Sequence, residues 1–250
     1  MTPTAQYPPL TDSGYPREDC CDLMRYYGFH ESGLYRISPQ YHSDMVVYCD
    51  MTTDGGGWTL IQRRYNGTVD FNRDWNDYTH GFGDVTGEFW YGNSKVKIIG
   101  DIDQMQLRVD MTDWDGGSAH ALYDHFELSS ANDSFRIQIG AYSGDAGDAF
   151  FPEETVSWTG LNNMMFTTRD HDNDKYVENC ATRGKGGFWY NDCSLANPNG
   201  VYSKDATKVD SAYSNVFGWP WKKNYYPLKS IEMKIRQHYC KALHPVATSA

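Results

Sequence analysis

The chain has 250 residues, enough for one large domain or two small ones and enough to bury a core unaided. Its formal net charge of −11 argues against a nucleic-acid partner, because nucleic-acid-binding surfaces are basic. Aromatic residues make up 15% of the chain and there are 23 glycines, which favours β-structure and irregular loops over a helical bundle.

The first third of the chain predicts one helix and three strands. Residues 1–17 are rich in proline and polar side chains, which predicts a flexible lead-in. A short helix is predicted from Asp19 to Tyr27, with Asp19 as its N-cap and Gly28 as its stop. Residues 55–57 are glycines and predict a turn. Strands are predicted on both sides of that turn, at Gly33–Ile37, Met45–Cys49 and Trp58–Arg64.

Regular structure is harder to find beyond that point. Alternating apolar and polar residues predict strands at Gln104–Met111 and Phe135–Gly140. Gly87–Tyr91 fits a strand and a helix equally well. After Gly140 the chain is mostly turns, which is typical of a region built of binding loops.

The six cysteines indicate an oxidising compartment. Their number is even, no C-x-x-C pair occurs and no Cys/His set has zinc spacing, so structural disulfides are the simplest interpretation. N-glycosylation sequons at Asn66 and Asn132 agree with a secreted glycoprotein. No apolar run approaches the roughly 20 residues of a membrane span. Residues 1–10 do not look like a signal peptide, so we expect any signal to lie upstream.

The segment from Asp170 to Ser194 carries the most distinctive chemistry. Asp170, Asp172 and Asp174 stand at alternate positions, and a turn that gathers such carboxylates can supply the oxygen ligands that calcium requires. The segment is not an EF-hand, because Lys175 stands where that loop needs glycine. An acidic, solvated turn is the alternative, since Asp and Asn are common turn residues.

No motif points to catalysis. There is no G-x-S-x-G nucleophile motif, and the glycines at 55–57 lack the Lys-Ser/Thr of a phosphate-binding loop. His30, His42 and His80 are single and scattered. The prediction is therefore that the chain is not an enzyme.

A series of short motifs resembles one known family. They span about Cys20 to Arg236 and include Cys20-Cys-Asp-Leu-Met24, Ser32-Gly-Leu-Tyr-Arg-Ile37, Val47-Tyr-Cys-Asp-Met51, Thr53-Asp-Gly-Gly-Gly-Trp-Thr-Leu60, Gly87-Glu-Phe-Trp90, Ala146-Gly-Asp148 and Glu232-Met-Lys-Ile-Arg236. Together they resemble the fibrinogen-related domain, the C-terminal recognition domain of ficolins, tachylectins, angiopoietins and the fibrinogen chains. Within that family we place the chain in the ficolin and tachylectin lectin group.

The resemblance implies an α+β fold. A central antiparallel sheet with short flanking helices would be followed by a loop-rich C-terminal region that binds calcium and ligand. One domain would span residues 18–240 and contain N-terminal, central and C-terminal subregions, with residues 241–250 as a tail. The resemblance also implies disulfides Cys20–Cys49 and Cys180–Cys193. Cys21 and Cys240 lie outside the family pattern; they could pair within the chain or form an interchain bond.

The resemblance implies a Ca²⁺ cofactor. The side-chain ligands would be Asp172 and Asp174, the backbone carbonyl ligands would belong to Tyr176 and Glu178, and Asp170 would be a nearby carboxylate. In the lectin members an acetyl group lies beside this loop, and the Asp192–Cys193 peptide is expected to be cis. The ligand-binding residues implied by the match are Asp192, Cys193, Ser194, Phe188, Trp189, Tyr213, Ser214 and Tyr226.

Two departures from the family pattern put acetyl recognition in question. Ser194 replaces the usual His, and Gly184 replaces the usual Tyr. Several basic residues fall in segments expected to rim the site: Arg183, Lys185, Lys204, Lys208, Lys222 and Lys223. They could favour an anionic glycan, or they could simply be solubilising surface residues.

Two functions follow from the resemblance. The first is an extracellular, calcium-dependent lectin of innate immunity that binds glycans or acetylated groups on microbial or host surfaces. An upstream segment would make it an oligomer, so that weak sites gain by avidity. The alternative is a signalling or clotting-type domain that binds a receptor or peptide.

Overall fold

The computed structural model of the chain describes residues 16–204, 212–222 and 226–240. Within them an antiparallel sheet and short helices give an α+β fold, as predicted. The helices are α1 (Cys20–Tyr27), α2 (Trp75–His80), α3 (Asn93–Gly100) and α4 (Cys180–Gly184). The strands are β1 (Gly33–Ile37), β2 (Met45–Asp50), β3 (Trp58–Arg64), β4 (Phe82–Gly83), β5 (Phe89–Trp90), β6 (Met105–Thr112), β7 (Ser118–Leu128), β8 (Ile137–Ile139), β9 (Tyr142–Gly144) and β10 (Ser230–Gln237).

The last strand of the chain occupies the middle of the sheet. The strand order is β1-β2-β3-β10-β6-β7-β8, so β10 pairs with β3 on one side and β6 on the other. β5 pairs with β3 beyond the point where β2 ends, and β9 pairs with β7. The sheet therefore joins the two ends of the described chain in one core.

Helix α1 begins and ends at the predicted residues. The side chain of Asp19 accepts a hydrogen bond from the Asp22 N–H, and Gly28 takes the left-handed conformation that closes the helix. The strands predicted at Gly33–Ile37, Met45–Cys49 and Trp58–Arg64 are confirmed as β1, β2 and β3.

Later predictions fit less closely. The strand expected at Gln104–Met111 is β6, and the ambiguous Gly87–Tyr91 segment contains the short strand β5. The strand predicted over Phe135–Gly140 is shorter, because Phe135 has a positive φ of 49° that strand geometry excludes. Strand β7 and helices α2 and α3 were not predicted.

Three disulfides lie in the described residues. Cys20–Cys49 and Cys180–Cys193 are the pairs implied by the resemblance, and Cys21 joins Cys240 within the chain. Asn66 is exposed on a loop and Asn132 is exposed in a one-turn 3-10 helix (Ala131–Asp133), so both sequons are at the surface. No helix in these segments is long and apolar enough to cross a membrane. Of the predicted lead-in only residues 16 and 17 are described, and the predicted tail lies outside the described residues.

Candidate functional site

The loop that carries Asp170, Asp172 and Asp174, which we call the acidic loop, is anchored to α2 by its first carboxylate. Asp170 Oδ1 accepts hydrogen bonds from the Trp75 N–H at 2.8 Å and from the Thr168 hydroxyl at 2.7 Å. The His171 ring stacks on Trp75 with centroids 4.3 Å apart. Asp170 therefore satisfies the first N–H of α2, which fixes where the loop starts.

The next two carboxylates organise the loop itself. Asp174 accepts hydrogen bonds from the Tyr176 N–H at 3.0 Å and the Cys180 N–H at 2.9 Å. Asp172 accepts one from the Asp174 N–H at 3.2 Å. Burial, together with the negative charge of Asp172, raises the pKa of Asp174 to about 6. A cation between the two carboxylates would remove that repulsion.

The oxygen donors of the acidic loop are of the types that the predicted calcium site requires. The described residues contain no group of three or more His, Cys, Asp or Glu side chains that could hold a metal ion. The predicted set needs only two such side chains, Asp172 and Asp174, because its other ligands are the backbone carbonyls of Tyr176 and Glu178. Oxygen-only coordination from carboxylates, carbonyls and water is what calcium prefers.

The Cys180–Cys193 disulfide brings the acidic loop against the segment that follows it. The Lys175 N–H donates to the Asn191 carbonyl at 3.0 Å, and the Asp192 N–H donates to the Trp158 carbonyl at 3.1 Å. No cis peptide bond occurs among the described residues, so the expectation that Asp192–Cys193 is cis is wrong. The trans form avoids the roughly 3–4 kcal/mol that a non-proline cis bond costs.

Several of the predicted ligand-binding residues belong to the core. Phe188, Trp189 and Ser214 have no exposed surface. The Trp189 indole N–H donates to the Phe135 carbonyl at 2.8 Å, and its ring packs against Phe166. In this conformation these side chains support the site from beneath and do not contact solvent.

The remaining predicted residues are divided between two places. The Tyr213 ring lies 5.6 Å from Phe217 and beneath the Arg183 guanidinium at 5.4 Å, close to the disulfide loop. The Tyr226 hydroxyl instead donates to Asp115 at 3.4 Å. Asp192 is exposed and Tyr213 is buried, so Asp192 is the predicted side chain that reaches the surface of this loop.

The two departures from the family pattern have structural reasons. A Cβ on Gly184 would lie 2.8 Å from the Tyr190 hydroxyl, so the buried position has no room for a larger residue without movement. Ser194 is buried, and its hydroxyl accepts a hydrogen bond from the Ala196 N–H at 2.9 Å. Neither residue offers a side chain to a ligand.

A cavity of about 670 Å³ lies beside the segment that follows Cys193, and it was not predicted from the sequence. We call it the Leu195 cavity. Its apolar lining includes Val156, Leu195, Phe217, Trp219 and Pro220, and its polar lining includes Asp148, Glu153 and Lys222. Phe151 also lines it and is 48% exposed, while nearby Trp158 is 55% exposed. Exposed aromatic rings beside a cavity are typical of binding surfaces.

The predicted basic rim is dispersed in the structure. Lys222 forms an ion pair with Asp113 at 2.7 Å, and Lys204 lies over the Trp114 ring at 5.3 Å. Lys185 lines a separate cavity with Arg64. Lys208 and Lys223 lie outside the described residues. The described basic side chains therefore do not form one anion-binding surface around the loop.

Comparison with known proteins identifies the class to which this fold and loop belong. Residues 16–238 match the family described as fibrinogen beta and gamma chains, C-terminal globular domain. The chain belongs to this family. Fibrinogen-like domain proteins are non-enzymatic, which confirms the prediction that the chain is not an enzyme.

Among the relatives are fibrinogen-like and angiopoietin-related proteins, in place of the ficolin group expected above. The chain is 41% identical over 225 residues to fibrinogen-like protein 1 of Rattus norvegicus, covering 87% of this chain and 71% of that protein. It is 40% identical over 222 residues to angiopoietin-related protein 7 of Bos taurus, covering 87% of this chain and 61% of that protein.

Two solved structures share the fold. The fibrinogen-like globe domain of human ANGPTL2 superposes with a TM-score of 0.81 at 36% identity, covering 89% of this chain and 100% of that one. The lamprey fibrin D-dimer, complexed with the peptide ligand Gly-His-Arg-Pro-amide, has a TM-score of 0.81 at 32% identity. Its match covers 93% of this chain and 77% of that one.

Proposed function

We propose that the chain is an extracellular recognition domain that binds a peptide segment of a protein partner in the Leu195 cavity. The observation that carries this proposal is the combination of an apolar floor with an acidic rim and exposed aromatic neighbours. A concave, mostly apolar site with a few placed polar groups is the usual form of a ligand pocket. The three disulfides support an extracellular location.

The rim chemistry favours a ligand with a positive charge. Asp148 is held in place because its Oδ1 accepts hydrogen bonds from the Phe150 and Phe151 N–H groups, each at 3.0 Å. Glu153 is exposed at the same cavity. Lys222 is already paired with Asp113, so it does not neutralise this rim. A short basic segment with an apolar residue would match both the charge and the floor.

The similarity to the lamprey fibrin domain supports a peptide over a glycan, since that structure contains a peptide ligand. The burial of Phe188, Trp189 and Ser214 weighs against the acetyl site implied by the lectin members. A glycan-binding, innate-immune role is therefore the second candidate. What favours it is the exposed Asp192 at the disulfide loop, where the lectin members hold their ligand.

We test the cavity with fluorescently labelled peptides that are basic-apolar, neutral or acidic, and we read fluorescence anisotropy. The basic-apolar peptides should bind best, and Glu153→Gln should weaken them about three- to tenfold through the lost charge. Glu154→Gln is the matched control, because it removes the same charge next to the cavity without lining it. Equal effects of the two variants, or binding only to N-acetylated saccharides, would refute the proposal.

We further propose that Ca²⁺ binds the acidic loop through the carboxylates of Asp172 and Asp174 and the carbonyls of Tyr176 and Glu178. The repulsion between the neighbouring Asp172 and Asp174 carboxylates supports this proposal, because a bound cation would offset it. Two charged ligands suggest an extracellular affinity, on the order of 10⁻⁴–10⁻³ M. The ion would fix the loop that the Cys180–Cys193 disulfide joins to the segment just before Leu195.

Calorimetric titration with CaCl₂ separates side-chain from backbone ligands. Asp172→Asn should weaken calcium binding at least tenfold, because it removes a charged ligand whose own hydrogen-bonding role is small. Glu178→Gln should leave the affinity unchanged, since its proposed ligand is the backbone oxygen and its side chain is exposed. A Glu178→Gln variant that loses calcium as completely as Asp172→Asn would contradict this ligand set.

A further inference from the structure

Another cavity, of about 310 Å³, lies between the start of β2, the β4–β5 pair and the first turn of α3. We call it the Lys95 cavity. Its charged lining residues are Asp44 and Lys95. Its apolar lining includes Met45, Val46, Phe82, Val85, Trp90 and Tyr91. None of these residues takes part in the proposed calcium or peptide sites.

The Lys95 cavity lies where β2 and β3 separate. β2 pairs with β3 only at Cys49 and Asp50, and beyond them β3 pairs with β5. The Tyr91 hydroxyl crosses the gap and donates to the Val46 carbonyl at 3.1 Å. In an antiparallel strand the N–H and C=O of one residue point the same way. The Val46 N–H therefore also faces the gap, where β3 is no longer beside it to accept a hydrogen bond.

The charge of Lys95 has no counter-ion among the described residues. Lys97, two positions along α3, pairs with Asp101, whereas no described carboxylate forms an ion pair with Lys95. The Lys95 Nζ lies 5.2 Å from the centre of the Tyr91 ring, and partial burial lowers the pKa of this lysine. Lys95 also lies in the first turn of α3, where the helix dipole disfavours a cation. A negative charge brought to Nζ would offset both costs.

The other charge at the cavity is already compensated. Asp44 Oδ1 accepts a hydrogen bond from the Ser38 hydroxyl at 2.6 Å, and its Oδ2 lies 3.5 Å from Arg36 Nη1. The Ser38 hydrogen bond, together with the charges of Arg17 and Arg36, holds the pKa of Asp44 below its usual value. The uncompensated charge of the lining is therefore positive, on a chain whose formal charge is −11.

We propose that the Lys95 cavity binds the carboxylate of a ligand that has an aromatic or aliphatic body. The carboxylate accepts charge-assisted hydrogen bonds from the Lys95 ammonium and the Val46 N–H, and the body lies against the half-buried Phe82 and Val85. The cavity is at the small end of the roughly 300–1,000 Å³ that is typical of ligand pockets, so it suits one amino-acid residue or a molecule of that size. Such a carboxylate belongs either to a free small acid or to the C-terminal residue of a peptide.

The test is a titration with 3-phenylpropionate, followed through the amide signals in proton–nitrogen correlation NMR spectra. The Val46 signal should shift and saturate, because its N–H gains a charged acceptor. 3-Phenylpropionamide, which has the same body without the charge, should bind about tenfold more weakly. Lys95→Gln should weaken 3-phenylpropionate binding about tenfold, the loss expected for one charge-assisted contact. Lys97→Gln is the matched control, because it removes a lysine of the same helix that does not line the cavity, and it should leave the affinity unchanged.

Equal affinities for the acid and the amide, equal effects of the two lysine substitutions, or no saturable shift would overturn the proposal. Lys95 is exposed, so the fold should tolerate its replacement. A short peptide that ends in phenylalanine, with a free or an amidated C-terminus, is titrated in parallel to identify the source of the carboxylate. Tighter binding of the free-carboxylate peptide than of 3-phenylpropionate assigns a peptide C-terminus, and equal or weaker binding assigns a free small acid.

Discussion

Asp19 caps α1 from a position that water does not reach. Burial, then the charge of neighbouring Asp22, raises the pKa of Asp19 to about 8. An unfolded Asp titrates near 3.9, so the folded state binds the extra proton between these values. The stability that the folded state gains from binding this proton is complete below about pH 4 and is lost as the pH rises through 8.

Replacing Asp19 with Asn should therefore remove the free-energy cost of burying an ionised carboxylate, which the wild type bears at high pH. Asparagine caps helices as well as aspartate does, so the hydrogen bond from the Asp22 N–H survives. We expect Asp19→Asn to be about 1–3 kcal/mol more stable than the wild type at pH 8.5 and nearly equal to it at pH 4.5. Urea unfolding across this range measures the difference. A variant that is less stable than the wild type at pH 8.5, with a smaller loss at pH 4.5, would show instead that Asp19 acts as a charged cap.

The roles of residues that act on their neighbours in sequence were the easiest to predict. The roles of Asp19 and Gly28 were predictable because a cap and a stop act within one helical turn. The burial of Asp19 was not, since it depends on packing near Gln237, far along the chain. For the same reason the crowding of Gly184 by Tyr190 and the burial of Phe188 required the three-dimensional structure.

At the scale of elements, one lysine joins three strands. Lys234 of β10 is 1% exposed, and its Nζ lies 2.8 Å from both Asp50 of β2 and Asp110 of β6. Glu232 is a third partner at 3.3 Å. Burial alone would raise the pKa of Asp50, but the charge and hydrogen bond of Lys234 hold it well below its usual range.

Lys234→Met should destabilise the protein by about 3–5 kcal/mol at pH 7, because it leaves buried carboxylates without their cation. The depressed pKa of Asp50 contributes stability above its unfolded pKa near 4, and this is lost as the pH falls. The penalty of the variant should therefore shrink toward pH 3, where the carboxylates become protonated in the unfolded chain and in the variant, which lacks the Lys234 charge. Lys97→Met, which breaks a surface pair with Asp101, should cost less than about 1 kcal/mol. A Lys234→Met penalty that is independent of pH would contradict this account.

The strands show why pairing is harder to predict than strand formation. β3 and β6 were predicted because their apolar residues mark a buried face. β7 also alternates, with Ala119, Ala121 and Tyr123 buried, but its charged and histidine residues obscured the pattern. The position of β10 between β3 and β6 depends on contacts across most of the chain, which local periodicity does not contain.

At the scale of the molecule, the Cys21–Cys240 disulfide closes a loop of 219 positions and joins α1 to the residues after β10. A cross-link over so long a loop restricts the unfolded chain strongly, by about 5 kcal/mol in the chain-entropy description. The Cys21→Ser/Cys240→Ser double variant should lose about that much stability in urea unfolding. Neither the double variant nor the wild type should show a disulfide-linked dimer on a non-reducing gel, because the bond is intrachain.

This double variant also tests whether the Cys21–Cys240 disulfide and calcium binding by the acidic loop contribute to stability independently. Cys180–Cys193 holds the acidic loop by a separate bond of 13 positions. Changes at sites that share no partners add in free energy, so the rise in melting temperature on adding calcium should be the same in the double variant and the wild type. Loss of that calcium response in the double variant would mean that the conformation of the acidic loop depends on the Cys21–Cys240 disulfide. The two parts of the domain would then unfold as one unit coupled through β10.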